Sequence, residues 1–275
     1  MGLLNPDTVL PDADINDKGD RVIEGWRQVE LRPVQTRLWQ WHKGYIKEVQ
    51  KLADGDDIVF LEMGDLTQGN IFKDDLDVNS LHTQVAISRW NTVPWLNLPE
   101  VKAAYFVTGT GVHVWGEGST ERLLVAQLKE MYPQTKIKIN DHWSLDIDGF
   151  LVDVAHHGPG AGIRNWTRGN VFELYCRSIV MDDIEAGAQV PNLILRAHKH
   201  EFVYRRVVHQ VRHKIWDVPA FINPPMCFIG SHALKTVNSP SSMGVGVIAY
   251  EIINGKLHDW HPFTNSVDLR TREVV

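Results

Sequence analysis

Apolar residues along this chain follow two periods. In "RPVQTRLWQWHKGYIKEVQKLADG", Leu38, Trp41, Tyr45, Val49 and Leu52 recur at helical spacing, and Gly55 lies just past the last of them. That spacing predicts an amphipathic helix closed by a glycine. "DDIVFLEM" and "AAYFVTG" are short continuous apolar runs, and each predicts a buried strand. "LHTQVAISRW" predicts a second helix, followed by a connection that contains proline. "STERLLVAQLKEMYP" predicts a third helix, with Ser119 or Thr120 as N-cap and Pro133 as the stop. Ahead of these elements, residues 1–30 are rich in Asp, Asn, Pro and Gly and read as an irregular arm.

The period then changes. "TKIKIN", "WSLDIDG" and "FLVDVAHH" alternate apolar and polar residues, as half-buried strands do, and Asp148-Gly149 is a hairpin turn. "NVFELYCRSIVMDDIEAG" predicts a fourth helix ending near Gly187. "NLILRAH", "FVYRRVVHQ", "RHKIWDV" and "GVGVIAYEIINGKLHDWHPF" are mostly strand, with a second hairpin turn at Asn254-Gly255. Helices alternate with strands early, and strands dominate late. No repeat, low-complexity tract or linker interrupts the pattern, so residues 1–275 read as one mixed α/β (α+β) domain.

Composition narrows the function classes. Net charge is -6 over 275 residues, which argues against wholesale binding of nucleic acid or membrane through a basic surface but not against a local basic cleft. No apolar stretch approaches the roughly 18 residues of a membrane span. The N-terminus lacks the basic and apolar regions of a signal peptide. Two cysteines, Cys176 and Cys227, make no framework, and a cytoplasmic protein is expected. Cys176 sits among apolar residues of a helix and reads as buried rather than nucleophilic.

Four loops that follow strands carry ligand-type residues. In "VFLEMGDLTQGN", Asp65 follows Gly64, and Asn70 follows Gly69. A carboxylate placed there can bridge two hard cations, while most Gly-Asp pairs are simply turns. In "YFVTGTGVHVWGEGS", His113 lies in a Gly-rich loop, as a general acid or phosphate ligand, or as a loop histidine near Trp115. "FLVDVAHHGPG" ends in His156 and His157; neighbouring strand residues face opposite ways, so one of the two is expected to reach a shared site. In "NLILRAHKHEF", His198 and His200 lie two residues apart, which in extended backbone points both rings to one side, as a metal site uses them. Imidazole together with carboxylate suits Mn, Fe or Zn better than Ca.

A strand-end Asp, a strand-end His and a strand-end His-x-His in this order resemble the calcineurin-like metallophosphoesterases. That family carries an Asp-x-His, a Gly-Asp, a Gly-Asn-His-Asp/Glu, a single His and a Gly-His-x-His, each at a strand end. The similarity spans most of the chain and is strongest toward phage and prophage members, which share a "VDVAHHGP"-like segment; the last motif here is "AHKH", with Ala197 at the usual Gly. The resemblance implies a sandwich of two mixed β-sheets flanked by helices, with two divalent cations. It implies that Asp65 bridges the metals, that His156 and His198 bind one and that His200 binds the other. His113 would contact the scissile phosphate and protonate the leaving group.

Two departures from the family pattern shape the expectation. The third motif reads Gly109-Thr110-Gly111-Val112-His113, so Thr110 stands nearest to the missing Asn, and Asn70 is the other polar candidate to approach from the neighbouring loop. No Asp-x-His precedes Asp65. The resemblance places the start of this chain just past that motif, through truncation or natural absence. One metal site is then expected to be weak or empty, while Asp65, His156 and His198 form the other. Neighbours of the lost central strand must pair directly, or another segment must fill the slot.

Remaining candidates read more plainly. "RRVVHQVRHK" brings Arg205, Arg206, Arg212 and Lys214 onto a hairpin after the last motif, where Arg205 could hold a phosphodiester, although a solvated hairpin explains the charges equally simply. Trp41 reads as core, and "FKDDLDV" as a solvated loop. The leading expectation is a metal-dependent phosphoesterase acting on a phosphodiester, such as a nucleotide or nucleic acid. The alternative is a degenerate relative that keeps one metal and serves as a binding or accessory protein. A metallo-β-lactamase-type zinc hydrolase is disfavoured, because no His-x-His-x-Asp-His is present.

Overall fold

The computed structural model describes residues 2–15, 21–69, 80–113, 119–160, 165–228 and 243–268. The first finding corrects the expected irregular arm. Val9–Ile15 (β1) and Arg21–Gln28 (β2) pair as an antiparallel ribbon. Pro11 and the acidic residues of β1 have low strand propensity, which hides the element in the sequence. A two-stranded ribbon has an outward edge on each strand, where a residue without an N–H can be accommodated.

Helix α1 spans Pro33–Ala53 and ends where Asp54 and Gly55 turn left-handed, with φ of 45° and 95°. Its buried face carries Leu38 and Tyr45 as expected, but also Gln35, Trp39, His42 and Ile46. Trp41, Val49 and Leu52 are only partly buried. The face is rotated because a polar residue, His42, belongs to the core. Its Nε2 accepts a hydrogen bond from Trp95 Nε1 at 2.8 Å.

Helix α2 spans Leu81–Leu96, longer than the sequence predicts, with Pro94 in its last turn. Proline there leaves the carbonyl of Trp90 without its helical donor. Asn5 supplies one instead, its Nδ2 lying 2.8 Å from that oxygen. The N-terminal segment thereby repairs the helix, and Pro94 need not end it.

Ile58–Glu62 (β3), Val101–Val107 (β4) and Lys136–Asn140 (β5) form a parallel sheet in the order β3-β4-β5. Helices α1, α2 and Ser119–Met131 (α3) cover one face of it, packing Ile46, Val85, Trp95, Leu124 and Leu128 with Phe106 of β4. A second, mixed sheet takes the order β6-β7-β8-β10-β9, from His142–Ile147 (β6), Phe150–Ala155 (β7), Leu193–Arg196 (β8), Val203–Val211 (β9) and Lys214–Ile222 (β10). Asn170–Ala186 (α4) packs Phe172, Cys176 and Val180 against its outer face.

Between the sheets, Val107, Val152, Leu195 and Phe221 meet Leu61, Tyr105 and residues of a ribbon formed by Met243–Ile253 (β11) and Lys256–Val267 (β12). Trp143 Nε1 bridges the sheets by donating to Phe106 O at 2.8 Å. The described residues thus form a mixed α/β fold with several sheets and four α-helices. Among the described residues, only the five-stranded sheet is mixed, and β3 has no strand partner besides β4. Alternation along a strand shows which residues face the core, but not which strand lies beside it. No helix among the described residues is long and apolar enough to cross a membrane.

The consequence for function is directional. β3 and β4 run parallel, as do β7, β8 and β10, so their C-terminal ends open together. Ligands of open α/β sheets bind outside those ends.

Buried His42 makes stability depend on pH. Burial lowers its pKa from 6.5 to about 4. An unfolded chain therefore takes up this proton at higher pH than the folded one. The stabilisation is present in full above pH 6.5 and is lost as pH falls through 4, and amounts to roughly 3 kcal/mol. Urea unfolding across this range should show that decline, and His42→Gln should flatten it. An unchanged slope in the variant would contradict the assignment.

Candidate metal centre

Each strand end places one side chain by a specific local device. After β3 the chain turns sharply at Gly64 (φ 92°) and Asp65 (φ 60°). Thr110, on the loop after β4, donates to Asp65 Oδ1 from its backbone N at 2.7 Å and from its hydroxyl at 3.0 Å. With Oδ1 committed, Oδ2 faces the ends of β7 and β8. There it lies 2.9 Å from His156 Nε2 and 3.6 Å from His198 Nδ1. The two ring nitrogens are 3.3 Å apart. These three donor atoms lie within 4.8 Å of one another, so Asp65, His156 and His198 could hold a metal ion.

The tautomer of His156 suits that use. Its Nδ1 lies 2.5 Å from the Met63 carbonyl, so Nδ1 carries the proton and the Nε2 lone pair faces the cluster. Without a cation the groups share protons. Burial opposes charge on Asp65, yet the neighbouring imidazoles of His156 and His198 hold its carboxylate well below the usual range. Burial also opposes charge on His156, and the Asp65 carboxylate outweighs it, raising the imidazole above its ordinary value.

The backbone shows strain where the ligand-type side chains sit. Asp65, His198 (φ 70°) and His200 (φ 50°) are all left-handed without being glycine. Such conformations cost on the order of 1–3 kcal/mol each and cluster at functional sites. Asp54, Asp148, Arg212 and Asn254, the other non-glycine residues of this kind among the described residues, lie at a helix end or in hairpin turns.

Other candidates fall at varying distances from this cluster. His113 Nε2 is 4.0 Å from Asp65 Oδ2, and its Nδ1 is 3.3 Å from Gln68 O. His113 thus faces the cluster from a half-buried rim. His157 stays exposed, its ring 4.9 Å from that of His198. His200 is outside the three-donor group; its Nδ1 lies 3.7 Å from Cys227 Sγ. Burial lowers the His200 pKa and pushes the Cys227 thiol up to about 11. Thr110 is buried with its hydroxyl spent on Asp65, which makes it a support for the carboxylate rather than a free substrate contact.

Arg205 is not gathered into the cluster. Its guanidinium packs on Gly169 at the start of α4, and Nη1 donates to Tyr204 O at 2.9 Å. On the same hairpin, Arg206 is paired with Asp217, and Lys214 lies over the Trp216 ring at 4.6 Å. Asn70, the 72–78 acidic run and Trp115 lie outside the described residues.

The supporting residues were missed by sequence reasoning. Glu121, fully buried in the first turn of α3, accepts from Gly109 N at 2.8 Å and from Leu66 N at 3.3 Å. One carboxylate thereby ties the Asp65 loop to the Thr110 loop. Gln84 of α2 clamps the same stretch, its Oε1 3.0 Å from both Gln68 N and Gly69 N. Burial and the charge of Glu121 push Glu62, at the end of β3, up to about 7. Gly109 is required by contact: a Cβ there would come within 2.1 Å of Asp65 Oδ1. Behind the cluster, buried Arg196 pairs with Asp153 at 2.5 Å and bonds Tyr175 at 3.2 Å, bracing the strands that carry His156 and His198. An acid in a first helical turn reads as dipole compensation, so nothing singled out Glu121.

Neither a protein-family model nor a curated protein matches this chain. The site therefore stands on its own geometry.

Two variants test that geometry. Glu121→Gln puts an amide donor against a backbone N–H and should raise the Mn2+ dissociation constant by about 10- to 100-fold, as loss of an outer-sphere partner does. Calorimetric titration measures it, and unchanged affinity would remove Glu121 from the account. Removing one partner of the buried ion pair, in Arg196→Ala, should cost about 3–5 kcal/mol of unfolding free energy. A loss below about 1 kcal/mol, the range of a surface pair, would contradict the brace.

Proposed function

We propose that this chain is a metal-dependent phosphoester hydrolase of the calcineurin-like metallophosphoesterase type, acting on a phosphodiester such as a nucleotide or nucleic acid. One observation carries the reading: Asp65 Oδ2, His156 Nε2 and His198 Nδ1 converge within 4.8 Å at the open ends of parallel strands. The order of the contributing loops along the chain and the stacking of two sheets between helices support the same family.

Two imidazoles and a carboxylate fit Mn2+, Fe2+ or Zn2+, and leave coordination positions for water and substrate. A bound divalent cation would polarise a phosphoryl oxygen and lower the pKa of its water. The chain's own residues do the rest. Thr110 holds Asp65 so that one oxygen is presented. Met63 fixes the His156 tautomer. His113, with Nδ1 beside the Gln68 carbonyl, keeps Nε2 toward the cluster; as an imidazolium it can donate from Nε2 to a phosphoryl oxygen and pass that proton to the leaving alkoxide.

A second reading has its own observation. His200 lies outside the three-donor group, so a one-metal protein with a binding or accessory role also fits the described residues. Mn2+-supported hydrolysis of bis(p-nitrophenyl) phosphate separates the two. Under the hydrolase reading His198→Ala abolishes turnover, and His113→Ala lowers kcat by about 10²- to 10⁴-fold on an alkyl phosphodiester, whose alkoxide needs a proton, and by less on this nitrophenyl ester. Wild-type protein that binds Mn2+ and hydrolyses nothing would overturn the hydrolase reading in favour of the second.

A further inference from the structure

We propose that the outer face of α4 docks against the same face of a second copy of this chain, the two helices antiparallel about a two-fold axis. One face of α4 belongs to the core, where Phe172, Cys176 and Val180 pack on the five-stranded sheet. The opposite face repeats the helical spacing with apolar residues. Val171 is 50% exposed, Leu174 65% and Met181 38%, with exposed Ser178 between the last two. Steps of three, four and three residues put these four side chains in one line. The line runs for ~15 Å of helix. Trp166, 79% exposed in the 3-10 turn Asn165–Thr167, adds a large ring just ahead of it. Single exposed apolar residues are ordinary, but a contiguous row marks a contact surface.

Charge along α4 names the occupant. Asp182, Asp183 and Glu185 crowd its C-terminal end, and the last turn holds no basic residue. Acids there oppose the helix dipole. Burial and the charges of Asp153 and Asp182 raise the Asp183 carboxyl above its ordinary range. Among the described residues none of these three acids forms a salt bridge. The other end is positive. Gly169 gives the first-turn N–H groups no side-chain cap, and the Arg205 guanidinium lies against it. Arg168 stands there too, 3.7 Å from Glu201, while Glu173 in the first turn is paired with Arg177 at 3.1 Å. A copy laid antiparallel brings each acidic end to a positive one, and two-fold symmetry makes that match twice. The acids also disfavour an anionic membrane surface, which takes a Lys/Arg-rich face.

The register follows from the row itself. With the axis at the level of Cys176, Leu174 meets the partner's Ser178 and Val171 meets the partner's Met181. A leucine over a serine lets the helices approach to the ~8–10 Å of packed pairs. Asn170 then lies opposite the partner's Asp182, and Thr167 opposite the partner's Glu185. The contact uses neither the Asp65 cluster nor any reaction, so it holds whether or not the chain hydrolyses a phosphoester.

Sedimentation equilibrium of the full chain is the test. One helix face is smaller than the ~800 Å2 per partner of a standard interface, so the dimer is expected at about 200 µM and should dissociate on dilution. Leu174→Glu, at an exposed position, should raise the dissociation constant at least about tenfold with an unchanged far-ultraviolet circular dichroism spectrum. Asp182→Lys combined with Glu185→Lys should weaken the dimer in the same direction. Ile215→Glu, which alters a 61% exposed apolar residue of the β9–β10 hairpin, should leave it intact. A wild type that is monomeric at that concentration would overturn the proposal. So would a dimer that survives in Leu174→Glu or dissolves in Ile215→Glu, since its interface would then lie elsewhere.

Discussion

The site depends on one carboxylate held by one edge. Asp65 gives Oδ1 to the backbone N–H and hydroxyl of Thr110, so only Oδ2 remains for the imidazoles. That division requires Asp65 to sit in a left-handed turn and Gly109 to approach without a side chain. Glu121 then holds both loops from beneath, through Gly109 N and Leu66 N. A preset geometry of this kind spares a cation the entropy of gathering its ligands.

The fold bears the cost of concentrating charge there. Glu62, Asp65 and Glu121 lie close enough for their charges to oppose one another, and burial adds to the penalty on each. Backbone N–H groups and His156 offset part of it. Asp153 and Arg196 play the corresponding part behind the five-stranded sheet, where the guanidinium is fully buried. Such pairs add little net stability over apolar packing, but they fix where strand ends lie. The strands they brace carry His156 and His198.

Much of this was legible in the sequence, and the limits have physical causes. Helices α1, α3 and α4 and the strands that carry the ligands announce themselves by period, and Asp65, His156 and His198 by their positions at strand ends. The β1–β2 ribbon did not, because proline and acidic residues mask its alternation. Nor did the extra turn of α2, since the donor that rescues Trp90 O comes from Asn5, far away in sequence. His42 looked like a break in an apolar stripe because its partner, Trp95, belongs to another helix. Glu121 and Gln84 were invisible for the same reason: each acts through a contact that only the assembled fold creates. Arg205 looked free to hold a phosphate because the sequence does not show that Gly169 lies against it.

Equilibrium Mn2+ binding by the wild type and by Asp65→Asn, each measured beside its metal-free unfolding free energy, tests the central claim most directly. If Asp65 is the carboxylate around which the site is built, the variant loses Mn2+ binding by at least about 100-fold while remaining folded. Equal affinity in the two folded proteins would show that the convergence of Asp65, His156 and His198 is not a metal site.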